Sequence, residues 1–193
     1  MRWILTAAAA VIVGISSYAC GTSGPSSTGN LRLMIQDSPY SDAKSVLVTF
    51  SEVTVHRAES EWTKLPFAAP DANTAAPTSR TCDLKKLEDA QDILGVGALP
   101  AAHYTMLRLV VSSATLYFEN AAEGPACAPT ITAPAGRSAP LTISSGEVKL
   151  NRQFELTAEA KTILIDFHGD QSIHETGNGT YRMSPVISIV SVQ

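Results

Sequence analysis

Aromatic residues make up only 6% of this 193-residue chain and charged ones 17%, and there are just four histidines and three cysteines. These scarcities weigh against several classes of function. The few His and Cys form no pair at zinc-site spacing, no H-E-x-x-H occurs, and the calcium-loop pattern is absent. Lys and Arg number 14 against 18 Asp and Glu. No basic cluster is present to neutralise phosphates, which argues against a nucleic-acid partner. No apolar run reaches the roughly 20 residues that a membrane-crossing helix needs. No internal repeat is found, and no cofactor motif, so no cofactor is expected.

What the chain does have begins at its amino end. Met1 and a lone positive Arg2 lead into an apolar run over residues 3–15, the charged and apolar parts of an export signal. Ser16, Ser17 and Ala19 supply the small residues that precede a cleavage site, and Cys20 follows. This order resembles the lipobox of bacterial lipoproteins, with Ala19 and Cys20 in place and Ser17 where leucine is usual. The resemblance implies a signal peptide over residues 1–19 and lipid attached to the Cys20 thiol. One acyl chain holds a protein only marginally and two or more hold it firmly, at about 0.8 kcal/mol per buried CH₂. Thr22, rather than Asp, beyond the second mature residue implies the outer membrane. An ordinary secretory signal with an incidental cysteine is the alternative. Residues 20–30 carry Gly, Ser, Thr and a Pro with nothing apolar to bury, and read as a lipidated, flexible tether. The expected location is therefore the cell envelope, with the membrane as a partner through the lipid.

Residues 31–193 fit one domain in length. Their dominant signal is period-two alternation: Leu31, Leu33 and Ile35 share one face, as do Val46, Val48 and Phe50, the pattern of half-buried strands. After Phe50 the phase slips by one residue near Ser51, which predicts a bulge. QDSPYSDA is turn chemistry. WTKLPF predicts a short edge strand, because Pro66 is tolerated only there. TCDLKKLEDAQDILG predicts a helix of two or three turns, with Leu84, Leu87 and Leu94 on one stripe and Gly95 or Gly97 ending it. Further strands are expected in AHYTMLRLVVSSATLYFE, LTISS, EVKLNRQFEL and KTILIDF. The chain closes on a hairpin whose GNG forms the turn. Seven or so strands with one short helix predict an all-β fold, a single β-sandwich.

With Cys20 assigned to lipid, Cys82 and Cys127 remain as an even pair in an oxidising compartment, and a disulfide between them is expected. Two separate buried thiols are the alternative.

The blocks LRLMIQDSP, VLVTFSEVTVHRAESEWTKL, CDLKKL, LPAAHYTMLRLVV, IDFHGDQSI and GTYRMSPVISIV resemble, in order and spacing, a bacterial domain family of unknown function, number 4382, found in envelope lipoproteins. The resemblance implies a transthyretin-like sandwich and names no activity.

Candidate chemistry is sparse. Ser41-Asp42-Ala43-Lys44 matches S-x-x-K, which places a lysine one helical turn from a serine nucleophile, but here it lies in a turn and its partner motifs are missing. Asp37, His56, Asp166 and His168 form the only metal-ligand set worth testing, since imidazole and carboxylate together suit a mixed site. Asp166 and His168 share a strand face with Leu164. The competing structural roles are a turn cap for Asp37 and an ion pair of Asp166 with Arg108 or Arg182. Tyr104, Tyr117, Phe118 and Tyr181 offer either a carbohydrate face or core packing. Asn178-Gly179-Thr180 fits a glycosylation sequon but reads as the hairpin turn. The expectation is a noncatalytic binding or structural module for an envelope protein, surface polymer or small ligand, with a metal-binding module and then a hydrolase as the alternatives.

Overall fold

A computed structural model describes residues 27–38, 40–58 and 61–193. Cys20 and the signal segment lie outside them. The strands, in chain order, are β1 (Thr28–Ser38), β2 (Ser45–Arg57), β3 (Trp62–Lys64), β4 (Arg80–Asp83), β5 (Asp92–Pro100), β6 (Ala102–Tyr117), β7 (Cys127–Ala128), β8 (Ser138–Ile143), β9 (Glu147–Leu156), β10 (Lys161–His168), β11 (Ile173–Gly177), β12 (Thr180–Met183) and β13 (Ile187–Val192). One 3-10 turn (Leu84–Leu87) and one helical turn, α1 (Gly169–Ser172), interrupt them. The fold is all-β, as the alternation predicts.

Four strands form one sheet in the order β13-β10-β1-β5. Within it β1 and β10 run parallel, and the other pairings are antiparallel. The larger sheet runs β11-β12-β8-β6-β2-β4-β7, with β3 added on β2 and β9 on β6. Leu31, Leu33 and Ile35 from β1 and Ile163, Ile165 and Phe167 from β10 join Val46, Val48, Phe50, Val53 and Val55 from β2 in one buried cluster. Phe50 and Phe167 meet edge to face at 6.3 Å across the two sheets. Each such side chain contributes about 1.5–3 kcal/mol by leaving water, and this shared interior holds the sheets together as a sandwich.

The slip near Ser51 is a bulge: the β2–β6 register shifts on both sides of Phe50, so that Phe50 and Val53, three apart, both point inward. The turn after β1 and the hairpin between β11 and β12 also form as expected, with Gly177, Asn178 and Gly179 all at positive φ. Cys82 and Cys127 stand opposite each other in the β4–β7 pair, Cα atoms 4.1 Å apart, and are bonded.

The described strands number thirteen rather than seven or so, and glycine accounts for two further departures from expectation. The helix over residues 81–95 is a single 3-10 turn followed by β5. Leu84, Leu87 and Leu94 are all buried, but Leu94 is buried from a strand. Gly95 and Gly97 do not stop a helix. Residues 66–68 pass along this edge, and a β-carbon would come within 2.9 Å of the Pro66 oxygen at Gly95 and 2.8 Å of the Pro66 ring at Gly97. Residues 28–30, expected to belong to the tether, are instead the start of β1, which begins at Thr28. Gly29 is there to let the strand pass the Thr157 carbonyl, which a β-carbon would strike.

Candidate functional site

The carboxyl ends of the parallel pair β1 and β10 gather most of the polar residues that the sequence singles out. Period-two geometry then divides them. Asp37 follows Leu31, Leu33 and Ile35 onto the inner face and is only 4% exposed. Its Oδ1 accepts a hydrogen bond from the Gly169 N–H at 3.1 Å, joining β1 to the start of α1. Its Oδ2 is buried without a partner among the described residues. Burial pushes the Asp37 carboxyl up to about 8, against the Gly169 N–H, which favours the anion, and with a further upward push from the Asp166 charge. Asp37 is therefore a neutral acid at pH 7. It caps no turn of its own. Its partner lies 132 residues away in the chain.

Asp166 and His168 stand on the opposite, outer face of the same sheet, as their alternation with Ile165 and Phe167 requires. Ser38 donates to Asp166 Oδ2 at 3.2 Å, and Asp166 Oδ1 is buried and unpartnered among the described residues. The expected ion pair of Asp166 with Arg108 or Arg182 does not form, because Arg108 belongs to the other sheet and Arg182 is exposed on β12. His168 Nε2 shares a 2.9 Å hydrogen bond with Ser188, which β13 places directly opposite Asp166. His168 Nδ1 is 4.0 Å from Asp166 Oδ2. The order Ser188, His168, Asp166 is that of a hydrolytic relay, but 4.0 Å is too long for the hydrogen bond that would orient the imidazole. The array also lies on the outer sheet face, and none of its residues lines the concavity of about 810 Å³ formed by the 120–135 loop, with Asn120, Glu123 and Thr130 in its wall.

His56 is elsewhere, on the outer face of the larger sheet. Its Nδ1 meets Thr105 Oγ1 at 2.8 Å and its ring lies 5.1 Å from Trp62. The four candidate metal ligands thus occupy three separate places, and no group of three His, Cys, Asp or Glu suited to an ion exists among the described residues.

Two constellations had weaker sequence signals. Arg108 lies over Trp62 at 4.6 Å, donates to Thr54 at 3.0 Å and to Glu52 at 2.6 Å, and reaches Glu147 at 3.6 Å. A lone charge among Met106, Val110 and the inward leucines was the available hint. Beside the disulfide, buried Arg80 donates to the Ala68 and Cys127 carbonyls at 2.8 and 3.1 Å and stands 3.6 Å from Asp92. Asp92 accepts from the Cys127 N–H, so this clamp ties β5 of one sheet to β4 and β7 of the other. Of the singled-out aromatics, Tyr104 is fully buried against Phe154, Phe118 packs on Tyr181, and Tyr117 is half-buried at the end of β6. Ser41 and Lys44 sit in an exposed turn and do not share a helical face.

The class these features define is an all-β, two-sheet domain with polar arrays on its outer faces. The chain belongs to the family named domain of unknown function DUF4382, whose model matches residues 28–185, from the first residue of β1 to just short of β13. Neither a curated protein nor a solved structure matches it.

Proposed function

We propose that this protein is a lipid-anchored component of the bacterial cell envelope, held at the outer membrane by Cys20, whose sandwich serves as a noncatalytic binding or structural module. The observation that carries the reading is a spacing. The apolar run over residues 3–15 leads through Ser16, Ser17 and Tyr18 to Ala19-Cys20, and after the short stretch 21–27 the first strand of a folded domain begins at Thr28. Fully extended, that stretch reaches about 25 Å, so an acylated Cys20 would keep the domain close to the lipid surface. The partner in this reading is an envelope protein or surface polymer that meets the outer faces of the sheets, where Trp62 and Arg108 on one side and His168 and Ser188 on the other are displayed. A metal-binding role has less support, because the candidate ligands are divided between faces and sheets. A hydrolase has less support, because Asp166 does not reach His168.

The test is fractionation of cells producing the chain with and without Cys20→Ser. The native chain should stay with the membranes and carry a mass increment of acyl chains at its processed terminus. The variant should appear in the soluble fraction. Equal membrane retention of both, with an unmodified terminus, would refute the anchor.

A further inference from the structure

We infer that two copies of this chain pair through β13, edge to edge and antiparallel, joining their four-stranded sheets into one. An open sheet edge presents unpaired N–H and C=O groups, and proteins normally blunt such edges with charge, shortness or a covering segment. The described strands do this everywhere but once. The far edge of the small sheet, β5, is covered by residues 66–68, through hydrogen bonds from Val96 to Pro66 and from Ala68 to Leu94. In the large sheet β7 has two residues, β3 has three including Lys64, and β11 carries His174 and Glu175. The long β9 edge carries Glu147, Lys149, Arg152 and Glu155. By contrast β13 ends its sheet, reads Ile-Ser-Ile-Val-Ser-Val, and has no charged side chain. Val186 and Val190, two of the three exposed large aliphatics among the described residues, are at or in it, and Val190 is 52% exposed.

The backbone says which groups face outward. Thr162 and Gln193 exchange both their hydrogen bonds, and His168 N–H donates to Val186. Antiparallel ladders alternate bonded and non-bonded pairs, so Val192 and Ile187 direct their N–H and C=O away from β10. The two are five residues apart, an odd spacing that ordinary alternation would put on opposite faces and edges. One extra residue in β13, at the register shift opposite Leu164 and Ile165, restores the match. Ile187 and Val192 consequently share one edge and the inward face.

Those two facts select the occupant. A second copy running antiparallel aligns Ile187 with Val192 and Ser188 with Ser191 about a two-fold axis between Ile189 and Val190, so that the outward N–H and C=O groups of Ile187 meet those of Val192 at both ends of the pair. No like charges oppose one another there, and the neighbouring β9 carries two acids and two bases. Because the β5 edge is closed, pairing stops at a two-fold dimer and does not propagate into a fibre.

The test uses the full chain, in membranes and in detergent. The double variant Ser188→Cys with Ser191→Cys should form an interchain disulfide in membranes under mild oxidation, while Arg152→Cys on the charged β9 edge should not. Sedimentation of the detergent-solubilised native chain should give a dimer, and Val190→Lys, at an exposed position the fold tolerates, should weaken it at least tenfold with circular dichroism unchanged. A native chain that stays monomeric to about 100 µM would overturn the inference. So would a dimer indifferent to Val190→Lys, or cross-linking through Arg152→Cys as fast as through the β13 pair.

Discussion

Replacing Asp37 with asparagine should flatten the dependence of stability on pH. The folded carboxyl keeps its proton up to about pH 8, whereas an unperturbed aspartate releases it near 3.8. Between those limits the folded state binds more protons than the unfolded one, so stability is greatest below pH 3.8 and falls as the pH rises, levelling off once the folded group ionises. The slope is at most about 1.4 kcal/mol per pH unit, which makes roughly 3 kcal/mol between pH 5 and 7. The substituted amide keeps an oxygen for the Gly169 N–H and never ionises. Its NH2 takes the place of the unpartnered Oδ2–H of the neutral acid and adds a second buried donor hydrogen, which costs about 1–3 kcal/mol. That cost is the same at every pH, so it cancels when the two pH profiles are compared by slope. Urea unfolding with the disulfide intact, at pH 5, 6, 7 and 8, measures both profiles. The native chain should lose stability relative to Asp37→Asn at each step up to about pH 8. Parallel profiles would mean that Asp37 ionises as freely in the folded chain as in the unfolded one, and the buried-acid reading would fail.

Two other perturbations test the frame around this site. Converting Cys82 and Cys127 together to alanine opens a loop with a sequence separation of 45, worth about 4 kcal/mol in the chain-entropy model, and the midpoint of denaturant unfolding should fall accordingly. An unchanged midpoint would show that the Arg80–Asp92 clamp alone closes that side of the sandwich. Gly29→Ala should destabilise the domain by more than about 2 kcal/mol, because the added methyl meets the Thr157 carbonyl inside a packed sheet. If residues 28–30 were part of a loose tether, the same change would be silent in thermal unfolding.

The strands were legible in the sequence because one physical rule governs them. A half-buried sheet needs apolar side chains at every second position, so Leu31, Leu33, Ile35 and Val46, Val48, Phe50 announce both their strand and its inner face. Even the bulge near Ser51 is visible as a break in that rhythm. The stripe Leu84, Leu87, Leu94 misled because a three-residue and a seven-residue interval fit a helix, while a tight turn followed by a strand buries the same three leucines. Nothing local distinguishes the two. The difference is the passage of Pro66 beside Gly95 and Gly97, a contact made by a segment almost thirty residues earlier. Glycine was ambiguous at Gly29 for the same reason: a residue that suits a flexible linker also suits a strand that must pass close to another backbone. The partners of Asp37, Arg80 and Arg108 were hidden because they depend on which strands become neighbours, and that order jumps across the chain.

The same alternation that made the strands readable explains why the polar residues do not condense into one centre. Asp37 is paired in register with Phe167, and Asp166 with Gln36, so the two acids belong to opposite faces although their strands are neighbours. No rearrangement short of slipping β1 by one residue against β10 would bring them onto one face, and that slip would turn Leu31, Leu33 and Ile35 out of the core. A shared catalytic or metal centre built from these residues is thus opposed by the whole apolar interior, at about 1.5–3 kcal/mol for each side chain exposed. Among the described residues, the architecture leaves its outer faces and the uncharged β13 edge exposed, and these are the surfaces on which the proposed macromolecular partner would lie.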